Sequence, residues 1–520
     1  MVMTRRTMLK AAATTLSAAV ASPALLASAV SEPGQGRRQP AAAAGVVNGA
    51  AEGAVSGAAT KLEGFRERGY YITFMRAPMF SFETWKEIFN AVHDDGGNLI
   101  LLWMGGAFRS RKFPVTWKYN AEHKNVQHDF AGRLIDYAHS LGIRVLLCLT
   151  PFGYDGVNQY ALEHPSLKAI AKDGNYTAAF GLGAWGFNLN PYRAESQQFM
   201  LEYTRELLDL YPNADGLLLE SSDYAISYCG GCPETFYEAE FRFVKQISTE
   251  LWARRSDALI VVYPHYFAGT EVPGMGIHAA RERFDPRWGL FFTPHSAPVD
   301  PALVKQARSV LYWDSSPTLG GPSRIQSAAK KAQAAGATGF VPSFEPWNYV
   351  LQGPDGGDQF LVGHRLSPFG FGWLKAGASP VKELLMRVNR LAYREFSRNP
   401  ALDFDEYRKL LSEQLFAGRA SASLLDDLLF LEESFFLDRT WISVSAIASP
   451  RYVKGMLDLG RIAPARLKDY RTRRQRLAQM AARYADASDV STKEIGQIAA
   501  WIVKQWQASP VHRLVDAHLD

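Results

Sequence analysis

The chain has 520 residues and a mass of 57.7 kDa, more than one average domain holds, so a large domain joined to a smaller one is expected. Its apolar fraction of 47% is that of an ordinary globular protein, and a net charge of +5 is too small for this size to make nucleic acid the main partner. Twelve Trp and twenty-two Tyr supply flat rings with a hydrogen-bonding edge, which suit sugar faces wherever they do not simply fill core.

At the N-terminus, Thr4-Arg5-Arg6-Thr7-Met8-Leu9-Lys10 resembles the twin-arginine export motif, with an Ala-rich apolar region and Ala27-Ser28-Ala29 as a cleavage site behind it. Residues 1–29 are therefore expected to be a signal peptide, and the product a periplasmic or secreted protein that folds before crossing. The apolar region is too short and too Ala-rich for stable membrane insertion. Residues 30–62, rich in Ala, Gly, Ser and Val, read as a disordered linker. Cys148, Cys229 and Cys232 are too few for a disulfide scaffold. Cys229-Gly-Gly-Cys232 lacks the second pair that a zinc site needs, so a local disulfide or a structural turn is expected there.

From residue 65 onward, short β-rich runs alternate with helical segments, the pattern of a parallel sheet wrapped by helices. The runs are Tyr70–Met75, Asn98–Met104, Arg144–Leu149, Gly216–Leu219, Leu259–Tyr263, Gly289–Thr293, Ser309–Tyr312 and Gly339–Val341. Ser81 caps the first helix, which stops at Gly96-Gly97; Asp129–Ser140 is the next, closed by Gly142. A long connection with Tyr154, Tyr160, His164, Tyr176, Trp185 and Phe187 follows the third run, and loops of that length are usually functional. Asn190-Pro191 is expected to open the following helix, residues 234–255 form another, Asp300-Pro301 opens a short one, and Ser323–Ala335 stops at Gly336. Eight strand–helix units close a (β/α)8 TIM barrel, and no Gly-rich phosphate loop follows the first strand to suggest an open doubly wound sheet. Helices at 381–398, 405–416, 421–437, 464–485 and 492–507 predict an all-α C-terminal domain, with the barrel over 63–370 and the helical domain over 371–520. Arg466, Lys468, Arg471, Arg473, Arg474 and Arg476 read as the solvated face of one of these helices.

Barrel enzymes keep their chemistry at the carboxyl ends of the strands. The residues expected there are Arg76, Trp103, Glu220, Asp223, Tyr224, His265, Tyr266, His295, Trp313, Asp314, Glu345 and Trp347. The apolar run Gly216–Leu219 that stops abruptly at Glu220 marks a buried strand ending in a carboxylate. Glu220, Asp314 and Glu345 on one rim suit glycosidic hydrolysis, in which one carboxyl protonates the departing oxygen and a carboxylate activates water or attacks the sugar. The other residues of this set are candidate sugar contacts. No His-x-His or His-Glu-x-x-His spacing supports a metal, and no cofactor is expected.

The placement of these acids on strands four, seven and eight resembles the α-glucuronidases and their glycoside-hydrolase-like relatives. So do Ser221-Ser222-Asp223-Tyr224 with Cys229-Gly-Gly-Cys232, and Tyr393-Arg-Glu-Phe396-Ser-Arg-Asn-Pro400 with Phe404-Asp-Glu406-Tyr407, the latter also similar to β-hexosaminidase-like enzymes. The resemblance implies Glu220 as general acid, Asp314 and Glu345 sharing the base role toward an inverting water, and a carbohydrate substrate. A retaining reaction with Asp314 or Glu345 as nucleophile, or a barrel that binds glycans without cleaving them, are the competing expectations. A uronic-acid substrate needs a cationic partner, for which Arg76, Arg109, Arg111 and Lys112 are the candidates by strand position. Nothing in the sequence sets the oligomeric state.

Overall fold

The computed structural model describes residues 64–74, 77, 80–119, 121–154, 156–176, 187–220, 227–229, 232, 235–263, 271–272, 276–277, 283–292, 300–314, 321–344, 379–436, 454–455, 457–508 and 510–519. The expected signal peptide and linker lie outside these, and Gly64–Asp520 is one compact unit. Its strands are β1 (Glu67–Ile72), β2 (Leu99–Trp103), β3 (Arg144–Leu149), β4 (Gly216–Leu219), β5 (Leu259–Val262), β6 (Trp288–Phe292) and β7 (Val310–Tyr312). The last, β8, runs as Gly339–Phe340 and resumes at Ser343–Phe344. All pair in parallel, and β8 returns to β1 through Glu67↔Gly339 and Tyr71↔Ser343, so the sheet closes into the expected eight-stranded barrel. The central strands are apolar and buried along their whole length because side chains inside fill the barrel while those outside meet helices. A small antiparallel ribbon, Glu271–Val272 with Gly276–Ile277, lies between β5 and β6.

Besides short helices at Val115–Lys118, Lys124–Gln127 and Val157–Glu163, the connecting helices among the described residues are α1 (Phe82–Asp94), α2 (Phe130–Ser140), α3 (Ala194–Leu210), α4 (Phe236–Arg254), α5 (Pro301–Gln306) and α6 (Pro322–Ala334). Local chemistry sets their ends. Ser81 accepts from the Thr84 N–H, Thr235 and Glu238 form a reciprocal capping box, and Asp300 accepts from the Ala302 N–H. Two boundaries differ clearly from expectation: β1 starts at Glu67 rather than Tyr70, and α3 starts late. Asn190 does not cap α3; its side chain accepts from Tyr192 N and its carbonyl from Arg193 N, closing a separate turn before the helix starts at Ala194. An Asn side chain that bonds two residues ahead competes with helix entry, which explains the delay.

Among the described residues, the helices after β8 are α7 (Leu384–Arg398), α8 (Phe404–Phe416), α9 (Ala422–Phe436), α10 (Pro464–Arg483), α11 (Val490–Ala508) and α12 (Pro510–Leu519), the last unanticipated from sequence. Although its sequence reads as part of the C-terminal helical domain, α7 lies on the outside of the β8–β1 seam, the place of an eighth barrel helix. Arg390 forks onto Asp95 at the end of α1, with N–O distances of 2.7 and 3.1 Å. Burial tends to raise the Asp95 carboxyl, and the Arg390 charge opposes it.

Tyr393 of α7 completes the seam itself. The Glu67 N–H donates to the Thr338 carbonyl at 3.1 Å and the Tyr71 N–H to the Pro342 carbonyl at 3.0 Å, so the rung between them belongs to Gly69 and Phe340. There the Tyr393 hydroxyl is inserted: it accepts from Gly69 N at 2.6 Å and donates to Phe340 O at 2.7 Å. Gly69 has no room for a side chain, since a Cβ would lie 1.5 Å from the Leu99 carbonyl oxygen. The basic face of α10 is also more engaged than expected. Arg473 pairs with Asp469 at 2.8 Å, Arg474 pairs with Asp516 of α12, and Arg476 reaches the buried Asp427 of α9 at 2.9 Å.

Candidate active site

Strand register decides which side chains enter the barrel. Tyr71 of β1 meets Phe291 of β6 at a centroid distance of 6.2 Å, and because those strands are not neighbours the contact crosses the interior. Residues paired across parallel strands share a face, so the inner set can be followed round from Tyr71. It passes through Leu101 and Trp103, Leu146 and Cys148, Leu218, Val261, Gly289 and Phe291, Leu311, and Ser343. Two residues beyond Leu218 on the same face is Glu220. Its N–H donates to the Leu149 carbonyl at 2.9 Å, which holds the end of β4 against the end of β3.

Glu220 is 9% exposed and sits at the carboxyl-end mouth, with the Thr150 hydroxyl donating to its Oε2 at 3.3 Å. Cys148, one pleat below Thr150, is fully buried, and burial together with the Glu220 charge pushes its thiol well above the usual range. That proximity confirms that Glu220 points inward.

Rings surround this carboxylate. Trp103 meets Tyr154 edge-on at 5.4 Å, Tyr263 stacks on Phe291 at 5.5 Å, and Trp313 packs against Tyr71 at 5.7 Å and Phe291 at 6.0 Å. Tyr154 is delivered by a loop in which both Phe152 and Tyr154 have left-handed backbones, with φ of 59° and 65°. Such strain at non-glycine residues is characteristic of functional sites. Gly156 in the same loop has φ 91°, and a Cβ there would come within 2.9 Å of the Tyr203 hydroxyl, which itself donates to the Gly105 carbonyl. Two polar atoms near the mouth, Trp313 Nε1 and Thr73 Oγ1, are buried without a hydrogen-bond partner.

Of the expected site residues, Glu220, Trp103 and Trp313 share the inner face. Asp314 does not follow them in the alternation. It takes the parity of Tyr312, whose ring meets Phe292 and Phe340 and whose hydroxyl is raised by burial and by the Asp314 charge. Arg76, Asp223, Tyr224, His265, Tyr266, His295, Glu345 and Trp347 lie outside the described residues. Of the cations after β2, Arg109 donates to the Gln127 carbonyl and covers Trp117, while Lys112 pairs with Glu202 at 3.6 Å. Arg111 leaves its side chain exposed while its N–H is held by Glu206. Tyr71, Thr73, Thr150, Tyr263 and Phe291 were not singled out from sequence. Counting every second residue back from the strand ends would have found them once register was known. Cys229 and Cys232 form the expected local disulfide, with Cα atoms 5.5 Å apart.

No protein-family model and no curated protein matches the chain. Among solved structures it is similar to a GH138 enzyme targeting pectin rhamnogalacturonan II, with a TM-score of 0.51 at 12% identity over 88% of this chain. The chain spans 59% of that structure's length. It is also similar to a Thermobaculum terrenum O-GlcNAc hydrolase mutant, with a TM-score of 0.45 and 11% identity over 88% of this chain and 94% of that one. A third is a Streptomyces plicatus beta-hexosaminidase mutant, with a TM-score of 0.42 and 13% identity over 68% of each chain. At this identity the first likeness establishes the shared barrel fold.

Proposed function

We propose that the chain is a glycoside hydrolase acting on an oligo- or polysaccharide, with Glu220 as the general acid. The observation that carries this reading is a nearly buried carboxylate facing inward at the carboxyl-end mouth of a closed barrel, walled by Trp103, Tyr154, Tyr263 and Trp313. Rings of this kind stack on sugar faces, and a carboxyl among them is placed to protonate a departing glycosidic oxygen. The glycoside hydrolases among its fold neighbours agree with this.

The reaction needs a second carboxylate. Asp314 shares the outer parity of Tyr312, which leaves Glu345, the acid after β8, as the better partner for Glu220. A separation of about 5 Å would make it a nucleophile, and roughly 6.5–9.5 Å would leave space for an attacking water and an inverted product. Trp313 Nε1 and Thr73 Oγ1 lack protein partners and suit sugar hydroxyls.

An acidic sugar is favoured as substrate by the α-glucuronidase resemblance and by the pectin target of the GH138 neighbour. Export by the twin-arginine route remains part of the proposal, and the Cys229–Cys232 disulfide suits an oxidising compartment. No helix among the described residues is long and apolar enough to cross a membrane. The test is Glu220→Gln assayed on a panel of aryl glycosides and plant polysaccharides. Turnover should fall by at least about 10³-fold with ligand binding and thermal stability retained, because an amide cannot supply the proton. Undiminished hydrolysis by the variant removes Glu220 from the chemistry. If neither protein hydrolyses anything while both bind glycan, the barrel is a binding module.

A further inference from the structure

The connection between β3 and α3 builds a second feature at the same rim. Ile170 and Tyr176 are antiparallel bridge partners, Lys168 is bridged to Leu189, and the Tyr228 N–H donates to the Ile170 carbonyl at 2.6 Å. Segments from the β3–α3 and β4–α4 connections therefore lie side by side as one small ribbon, and the Cys229–Cys232 disulfide ties the turn immediately after Tyr228. This ribbon leaves large side chains with apolar faces in water beside its polar ones. Tyr176 is 51% and Tyr228 50% exposed, and with Ile170 they make up three of the six large apolar residues exposed among those described. Packing does not account for rings left in water in this number at one place.

Lys168 lies within the cluster. Its ammonium is 4.7 Å from the centre of the Tyr176 ring and 4.1 Å from that of Phe187, and those two rings meet edge-on at 5.6 Å. Among the described residues it has no carboxylate partner, unlike Lys112, which pairs with Glu202. Burial lowers its pKa, so the charged form has lost part of its hydration without gaining an anion. Cation–π contact returns some of that loss and also holds the ammonium at a fixed place between two flat faces. A planar ring bearing a carboxylate would satisfy both the exposed aromatic surface and the unpaired charge.

We propose that Lys168, Tyr176 and Tyr228 form an anchoring subsite for a uronate-bearing polysaccharide, separate from the catalytic mouth and feeding chain toward it. The inference rests on the glycan reading above and adds a binding locus and a charge preference to it. Reach is consistent with this, because Ser227 stands seven residues after Glu220 and so within about 25 Å of it even along a fully extended chain.

The test uses the full-length protein carrying Glu220→Gln, so that ligand is not consumed, and two probes: polygalacturonate and a neutral β-1,4-galactan. Titration calorimetry should show polygalacturonate preferred, with affinity falling as salt rises. Adding Lys168→Gln should weaken polygalacturonate binding by about tenfold, Lys168→Arg should restore most of it, and Tyr228→Ala should weaken both probes. A purely structural Lys168 would instead lower the melting temperature while leaving the probe preference intact, and that result overturns the proposal. So does equal binding of both probes by the Glu220→Gln protein. If polygalacturonate binds as described but no glycoside is ever hydrolysed by the parent, the catalytic reading fails and the anchor stands. If the parent hydrolyses aryl glycosides yet does not bind polygalacturonate, only the anchor falls.

Discussion

Replacing Tyr393 with Phe removes one oxygen atom from the seam of the barrel, and the structure fixes what that costs. The hydroxyl is fully buried, accepts from Gly69 N at 2.6 Å and donates to Phe340 O at 2.7 Å. Without it, one backbone donor and one carbonyl are left in apolar surroundings next to the Tyr70 and Phe340 rings, whose centroids lie 4.8 and 5.6 Å from that of Tyr393. Each unsatisfied group costs about 1–3 kcal/mol, so the change should destabilise the protein by about 2–6 kcal/mol, less whatever is regained if β1 and β8 draw together to form the missing rung directly. Taking about 2.1 cal/mol/K per residue as the unfolding entropy, and residues 64–520 as one cooperative unit, this is a fall of roughly 2–6 °C in melting temperature. Denaturant titration gives the free energy and calorimetry the temperature. Hydrolysis should persist in the variant at temperatures where it stays folded, since Tyr393 lies on the outside of the barrel wall. A stability within about 0.5 kcal/mol of the parent would show that the seam closes without the hydroxyl, and the inserted rung would then be incidental.

Two further outcomes follow from the same geometry. Glu345→Gln should reduce turnover by at least about 10³-fold, and Asp314→Asn by less than about tenfold; kcat on an activated aryl glycoside measures both, and the opposite order would return the partner role to Asp314. Glu432 of α9 is fully buried, accepts from Asn389 Nδ2 at 3.2 Å, and is held protonated by burial, its pKa well above 4.5. The folded protein therefore keeps a proton that the unfolded chain releases above about pH 4.5, so this group's contribution falls as pH rises from there toward the folded value. Glu432→Gln should accordingly gain stability relative to the parent as pH is raised from 4.5 to 8, and a difference in melting temperature that does not change with pH would contradict this.

Much of the scaffold was legible in the chain. β3 and β4 run as their apolar stretches indicated, and α1 and α5 start at the caps written in Ser81 and Asp300, because those signals act within a turn or two of themselves. Asn190 misled for the same local reason, as its side chain closed a turn of its own before the helix. Glu220 stood out because a carboxylate that ends a doubly buried strand has few places to point.

What the sequence by itself determined, then, was the number and order of strands, the starts of α1 and α5, and one acid at the end of a buried strand. Only the tertiary structure decided that Tyr71 and Phe291 meet across the interior of the barrel and that Trp313 packs against both. It also decided that a tyrosine more than three hundred residues away, Tyr393, supplies a rung between the first strand and the last. Strand alternation has a period of two, so inside and outside exchange with a single step of register, and register is set by pairing between strands that no local signal encodes.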